Sequence, residues 1–297
     1  MVINLLNGIF APIPTPFDNK GEIDWKSLQY NLRWWGKSSM QGLAVAGTNG
    51  EAVMLEHEEK IKAFSFVREH LPPEKKLIAG TGCESAKATL KLNREAASCG
   101  VDAVLVLNPS YFKGSMNEEA LANYFNHVAE DSPLPVILYN MPRNTNLNLS
   151  AKLITDLAKH PNIVGIKDSS GNIVQIGEVI YNTGPDFFVF AGSASFLLPA
   201  LVLGAAGGTL ALANIMPEEC VKIEELYREG KLEEAKKIQL AIIEMNSAVT
   251  SRFGVAGLKA ALDLLGLYGG PPRLPLLPLD EEGKKQVKDI MKKSGLL

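Results

Sequence analysis

Apolar runs of four to seven residues recur along the first three quarters of the chain. Each is followed by a longer stretch with apolar positions at three- and four-residue spacing. Eight such runs stand out, at 8–14, 42–46, 76–80, 103–107, 135–139, 163–167, 187–191 and 207–210. Continuous apolarity over so short a span marks strands buried on both faces. The stretches between them predict helices. At 24–36 an acidic cap candidate, Asp24, precedes Leu28, Leu32 and Trp35 on one side. The stretch 56–71 carries Ile61, Phe64 and Val67 and stops before Pro72-Pro73. At 85–99, Ala88, Leu92, Ala96 and Cys99 line up before the stop signal Gly100. Helical spacing continues at 117–130, 150–159, 172–181, 194–203 and 217–228.

Eight strands alternating with eight helices predict parallel pairing through right-handed crossovers. The architecture that follows is α/β, a closed (β/α)8 TIM barrel over residues 1–230. The competing architecture is an open doubly wound sheet. That fold places a glycine-rich fingerprint after its first strand, and here Ala11-Pro12-Ile13-Pro14-Thr15-Pro16 stands instead. Residues 231–297 read as a C-terminal helical domain, a three-helix extension with helices at 232–247, 254–265 and 280–294. A glycine- and proline-rich loop at 269–275 separates the last two. The expectation is an appendage that takes no part in catalysis.

Composition narrows the classes. Of 297 residues 46% are hydrophobic and 21% charged, with a net charge of -3. That balance fits an ordinary globular protein and gives no electrostatic case for nucleic acid or an anionic membrane. No apolar run approaches the roughly 20 residues of a membrane span. Residues 1–10 have no basic leader, so no signal peptide is expected. Cys83, Cys99 and Cys220 are odd in number and widely spaced, which fits free thiols in a cytoplasmic protein.

In a barrel the chemistry sits at the C-terminal ends of the strands. The sixth run, Ile163-Val164-Gly165-Ile166-Lys167, ends on a lysine and is followed by Asp168-Ser169-Ser170-Gly171. A lysine there keeps its stem in apolar surroundings while its amine faces a cavity. Desolvation disfavours an ammonium, which makes a neutral nucleophilic amine available for a Schiff base with a carbonyl. The plainer alternative is a strand end whose side chain snorkels to water. Around the same rim lie Thr48 and Asn49 in the turn Gly47-Thr48-Asn49-Gly50-Glu51, Tyr111, Tyr139, Asn144, Ser169, Gly192 and Ser193. The Gly47–Glu51 turn can offer backbone N–H groups to a carboxylate, although such turns also arise for steric reasons alone. Buried tyrosines usually just pack, but Tyr139 beside the lysine strand is placed to move protons.

Other chemistries fit less well. His57, His70, His127 and His160 fall in helical stretches without metal-ligand spacing, so no metal site is expected. Cys83 lacks a histidine neighbour and reads as a packed thiol. Gly192-Ser193-Ala194-Ser195 lacks the second glycine of a nucleophile elbow. Glu118-Glu119 reads as the exposed first turn of a helix.

Taken together, the Gly47–Glu51 turn, Tyr139-Asn140-Met141-Pro142 and Gly165-Ile166-Lys167-Asp168-Ser169 resemble the dihydrodipicolinate synthase / N-acetylneuraminate lyase family of class I aldolases. The resemblance runs over essentially the whole chain. It implies a barrel with a C-terminal helical domain, assembled as a homotetramer, a dimer of dimers. It implies that Lys167 forms the Schiff base with the C2 carbonyl of a 2-oxo acid such as pyruvate, with no other cofactor. Tyr139 would shuttle protons. Thr48 and Tyr111 would complete a hydroxyl relay, Tyr111 reaching across a dimer interface. The amides of Thr48 and Asn49 would hold the carboxylate.

Dihydrodipicolinate synthases carry a second hydroxyl residue where Asn49 stands, and an arginine for the aldehyde's carboxylate where Asn144 stands. Here the arginine comes one residue early, as Arg143. Neighbouring loop positions point in different directions, which sets Arg143 apart from that arginine. The chain more closely resembles 4-hydroxy-2-oxoglutarate aldolases. It shares with them Asn49, Asn144, the Gly82–Ser85 run, Ala248-Val249-Thr250, Arg252-Phe253-Gly254 and Tyr268-Gly269-Gly270-Pro271. Ser169 returns to the lysine's face of the strand by period-two alternation and can hydrogen-bond a substrate hydroxyl. The expected reaction is cleavage of 4-hydroxy-2-oxoglutarate to pyruvate and the aldehyde glyoxylate. Alternatives are condensation of pyruvate with aspartate semialdehyde, an aldolase or dehydratase acting on 2-keto-3-deoxy sugar acids, and a non-catalytic 2-oxo acid sensor.

Overall fold

The eight apolar runs pair in sequence order as parallel strands, and the last closes onto the first. In the computed structural model, which describes residues 6–297, they are β1 (Gly8–Pro12), β2 (Gly42–Val45), β3 (Lys76–Gly80), β4 (Ala103–Leu107), β5 (Val136–Asn140), β6 (Ile163–Asp168), β7 (Phe188–Ala191) and β8 (Gly207–Thr209). Half of the N-terminal stretch read against a signal peptide, residues 1–5, lies outside the described residues. The closed barrel rules out the open sheet.

Helices follow the strands as their spacing predicts. They are α1 (Trp25–Trp35), α2 (His57–His70), α3 (Ala86–Ser98), α4 (Glu118–Asp131), a single turn α5 (Pro142–Thr145), α6 (Ala151–Leu157), α7 (Ile173–Asn182), α8 (Leu197–Leu203) and α9 (Pro217–Arg228). Side-chain caps fix several starts. Asp24 accepts from the Ser27 amide, Ser85 from Ala88 and Asn117 from Ala120. Each satisfies a backbone donor that the first helical turn leaves unpaired. Residues 194–203 divide into a 3-10 turn, Ala194–Phe196, and α8. Glu118 and Glu119 occupy the exposed first turn of α4. Among the described residues no helix is long and apolar enough to cross a membrane.

Inside the barrel, Phe10, Ile137, Phe188 and Phe190 fill the axis together with the ring of Tyr139. Phe10 and Phe190 meet edge to face with centroids 6.0 Å apart, a favoured aromatic geometry. A second and larger core lies between the strands and the helical shell.

The register between β5 and β6 shifts once, at Val136/Ile137. Val136 pairs with Ile163, but Ile137 pairs with Gly165, so Val164 bulges out. Because side chains alternate along a strand, one extra residue decides which of them face the axis. With the bulge Tyr139 pairs with Lys167, and without it Tyr139 would sit beside Ile166.

Two expectations for the C-terminal segment need correction. The apolar spacing predicts one helix over 232–247, but the chain bends at Ile242. It forms α10 (Leu232–Ala241), α11 (Ile243–Ser247) and then a π-helical turn, Ala248–Arg252, before α12 (Gly254–Leu264) and α13 (Glu281–Lys293). Bends of this kind accompany π turns. Nor is the segment an appendage, because the π turn reaches the barrel rim.

The tail is also tied to the barrel's first helices. The Asn31 side chain bonds both the N–H and the C=O of Tyr268. Arg273 grips Glu59 through two 2.6 Å bonds and donates to the carbonyls of Gly21 and Met54. The Arg273 hydrogen bonds hold the Glu59 carboxyl below its ordinary range. A depressed carboxyl contributes stability that is complete above the ordinary glutamate value, about 4.3, and is lost as pH falls through the lower folded value. Thermal melts from pH 7 down to 3 should show this loss, and Arg273→Met should flatten that part of the curve. An unchanged acid profile in the variant would mean that the clamp contributes no pH-dependent stability.

Candidate active site

The rim at the C-terminal ends of the strands opens on a cavity of about 480 Å3. Lys167 reaches it from the inward face of β6, and its side chain is only 4% exposed in the chain. Its amine lies 4.4 Å from the centre of the Tyr139 ring on the neighbouring strand. Among the described residues no carboxylate pairs with that amine. The Tyr139 hydroxyl in turn lies 3.2 Å from Thr48 Oγ1. The Tyr139 side chain thus touches both the amine on β6, through its ring, and the alcohol of the turn after β2, through its hydroxyl.

One residue further along, the two strands are stapled together. Asn140 pairs in register with Asp168 and donates to its carboxylate at 2.8 Å. The Asp168 carboxylate also accepts from the Ser170 amide at 2.8 Å. A cross-strand bond directly after Tyr139 and Lys167 limits how far those two side chains drift apart. Sequence reading ended the fifth and sixth strands one residue short and so missed it.

The turn after β2 is conformationally strained. Ala46 and Glu51 flank it with φ of 52° and 56°. Left-handed backbone costs a residue with a Cβ about 1–2 kcal/mol, and such strain persists only where surroundings impose it. Between them, the N–H groups of Thr48 and Asn49 find no acceptor among the described residues. The Asn49 side chain donates to the Pro12 carbonyl at 3.3 Å, and the Thr15 hydroxyl holds the Gly50 carbonyl at 2.7 Å. Two adjacent amides without a described acceptor, on residues that line the cavity, suit a carboxylate.

Asn144, Ser169, Gly192 and Ser193 line the same cavity. Gly192 has no alternative there, because a Cβ would sit 2.0 Å from Ser169 Oγ. The Ser193 hydroxyl accepts from Asn246 of α11 at 3.0 Å. Of the residues singled out from sequence, only Tyr111 is not brought in. It stands 80% exposed on the loop after β4, edge-on to Phe112, with its amide held by Glu84 at 3.0 Å.

Two contributions were not foreseen. Val249, Thr250 and Ser251 of the π turn form part of the wall. Arg143, set apart in the sequence from the arginine expected at position 144, also lines it; α5 is a single helical turn, and the guanidinium donates to the Ser251 carbonyl at 2.9 Å. Among the described residues lining the cavity there are two cationic side chains, Lys167 and Arg143, and no acidic one. No three His, Cys, Asp or Glu side chains converge as metal ligands among the described residues. Cys83 is a packed thiol, its Sγ 3.4 Å from the Thr81 carbonyl and its acidity weakened by burial.

The Dihydrodipicolinate synthetase family matches residues 5–294 of the chain. A protein of Emericella nidulans named "Probable 4-hydroxy-2-oxoglutarate aldolase, mitochondrial" is 37% identical over 295 residues, which cover 98% of this chain and 95% of that protein. A 4-hydroxy-tetrahydrodipicolinate synthase of Methanothrix thermoacetophila is 32% identical over 290 residues, 97% of each chain. Among solved structures, that of dihydrodipicolinate synthase from Cyanidioschyzon merolae with lysine bound superposes with a TM-score of 0.94 at 30% identity, covering 99% of each chain.

Proposed function

Because the chain belongs to the dihydrodipicolinate synthetase family, we propose that it is a class I lyase that cleaves 4-hydroxy-2-oxoglutarate to pyruvate and glyoxylate through a Schiff base on Lys167. The Lys167 amine attacks C2 of the 2-oxo acid and water leaves, giving an iminium. Tyr139 takes the proton of the C4 hydroxyl. The C3–C4 bond breaks, its electron pair passes into the iminium, and glyoxylate departs. Protonation of the resulting enamine at C3 and hydrolysis release pyruvate and restore the amine. The Thr48 and Asn49 amides hold the C1 carboxylate, and Asn49, Asn144, Ser169 and Ser193 serve the hydroxyl and the far end of the substrate. Tyr111 of a second copy completes the Thr48–Tyr139 relay in a homotetramer.

The observation that carries the reading is the in-register pair of Lys167 and Tyr139, amine 4.4 Å from ring centre, at the floor of one cavity. The lining supports the choice of substrate. Two cations without an acid suit a molecule with two carboxylates, one near Thr48 and one near Arg143. The rival aldehyde, aspartate semialdehyde, also carries an ammonium, and no carboxylate among the described lining residues is there to receive it. The relative of Methanothrix thermoacetophila, named for that synthase, keeps this reading as the second one.

Borohydride trapping with pyruvate, followed by mass analysis, tests the Schiff base, and coupled assays with glyoxylate and with aspartate semialdehyde separate the two reactions. No adduct on the wild-type chain ends the lyase reading; preference for aspartate semialdehyde exchanges it for the second. The role of Arg143 has its own test. Arg143→Ala should raise KM for 4-hydroxy-2-oxoglutarate roughly 10–100-fold, the value of a charged hydrogen bond of about 1.5–3 kcal/mol. It should leave 4-hydroxy-2-oxopentanoate, which lacks the second carboxylate, nearly unaffected. Equal losses on both substrates would assign Arg143 to holding the π turn instead.

A further inference from the structure

The strained turn that carries Thr48 and Asn49 ends on Glu51, whose carboxylate pairs with Lys259 of α12 at 2.6 Å. Both side chains are 1% exposed. The second carboxylate oxygen accepts from the Arg273 amide at 2.8 Å. Lys259 donates its hydrogen bond to the Pro271 carbonyl at 2.9 Å and sits 4.5 Å above the Phe17 ring. Neither Glu51 nor Lys259 lines the cavity, and no step of the proposed reaction uses them.

A buried ion pair is a weak source of stability, because the loss of hydration offsets most of the attraction, and apolar residues of the same size often serve as well. What this pair fixes is conformation. Glu51 is held in the left-handed region, φ 56°, and Ala46 at the other end of the turn shares that strain at 52°. Both the ion pair and the hydrogen bond on the Glu51 carboxylate come from the C-terminal segment, while Thr15 grips Gly50 from the other side. Without them the turn is free to relax, and the two free amides between its ends swing with it.

We propose that Glu51 and Lys259 are a positioning pair through which the C-terminal segment aims the Thr48 and Asn49 amides at the carboxylate of the 2-oxo acid. The proposal rests on the lyase reading of the cavity. It makes the C-terminal segment a determinant of substrate affinity twice over, through the wall at Thr250 and through a clamp behind the turn.

The test uses the full-length chain and reads borohydride trapping on Lys167 as a function of pyruvate concentration, beside kcat and KM. Either single neutralisation leaves a buried charge unpaired and is strongly destabilising. The informative variant is therefore the double one, Glu51→Gln with Lys259→Met. It removes both charges at nearly constant volume, and the glutamine oxygen still accepts from the Arg273 amide. Expected is a rise of roughly 10–100-fold in the pyruvate concentration for half-maximal trapping, the scale of a small misplacement of a binding group. Trapping at saturation stays on Lys167, and kcat falls by less than KM rises. Lys259→Arg, which keeps the charge, recovers most of the affinity.

A folded double variant with wild-type half-saturation overturns the proposal. So does a set in which every variant unfolds, since the pair would then serve stability alone, and so does a Lys259→Arg chain no better than the double variant. Absence of an adduct on the wild-type chain is a different outcome. It removes the lyase reading first, and this proposal with it.

Discussion

Lys167→Ala should lose turnover by roughly 10⁴–10⁶-fold, the range seen when a covalent nucleophile is removed, and should give no borohydride-trapped adduct with pyruvate. The side chain is buried on the inward face of β6, and no carboxylate pairs with its amine among the described residues. Its removal therefore leaves no charge stranded, and the fold should survive with a modest shift in melting temperature. Lys167→Arg should be as inactive as the alanine variant. A guanidinium stays protonated under all working conditions and offers no lone pair to a carbonyl. This pair of variants separates chemistry from charge. If positive charge in the cavity were enough, as in a 2-oxo acid sensor, Lys167→Arg would still bind pyruvate and Lys167→Ala would not. An adduct of undiminished yield on Lys167→Ala would move the Schiff base to another amine and undo the mechanism.

How much of this was legible depended on how local the determinant was. The eight strands are visible because each is buried on both faces and so reads as an unbroken apolar run. The helices are visible because their caps, such as Asp24 and Ser85, lie within three residues of the donors they satisfy. The lysine and tyrosine emerged for the same reason, as polar groups closing apolar runs. What stayed hidden was relational. The bulge at Val164 that aligns Tyr139 with Lys167 is a property of two strands and leaves no mark on either. The bend at Ile242 is invisible because apolar spacing continues through it; only the buried Asn246, reaching Ser193 and Ser195, gives the bend a purpose. Glu51 and Lys259 are far apart in the chain, and a lysine inside an apolar helix is a signal of partnership without an address. Arg143 was weighed only against the arginine expected at position 144, and the reach of its guanidinium to the Ser251 carbonyl depends on a π turn over a hundred residues away. Tyr111 belongs to another scale, since it stands 80% exposed in one chain and its proposed role requires a second copy.

Tyr139→Phe isolates the proton transfer from everything else the ring does. The ring packs in the barrel's inner core with Ile137 and Phe190, so phenylalanine keeps the packing and removes one oxygen. Thr48 Oγ1 loses a partner 3.2 Å away, a cost of about 1–3 kcal/mol if the hydroxyl finds no substitute. The chain should therefore fold. Cleavage should slow by roughly 10²–10⁴-fold in kcat, the usual contribution of a positioned general base. The KM for 4-hydroxy-2-oxoglutarate should change little, because neither carboxylate of the substrate meets the phenol. Imine formation should suffer as well, since its carbinolamine step also moves protons, yet Lys167 remains present. Trapping with pyruvate should accordingly become slower while reaching completion, in contrast to its absence in Lys167→Ala. Thr48→Val, which leaves the phenol but removes its hydrogen-bond partner, should fall between wild type and Tyr139→Phe. If Tyr139→Phe turns over at close to the wild-type rate, the base lies elsewhere, and the 4.4 Å approach of amine to ring is packing alone. If trapping disappears together with turnover, the phenol acts first in building the imine, and the general-base role moves to that earlier step.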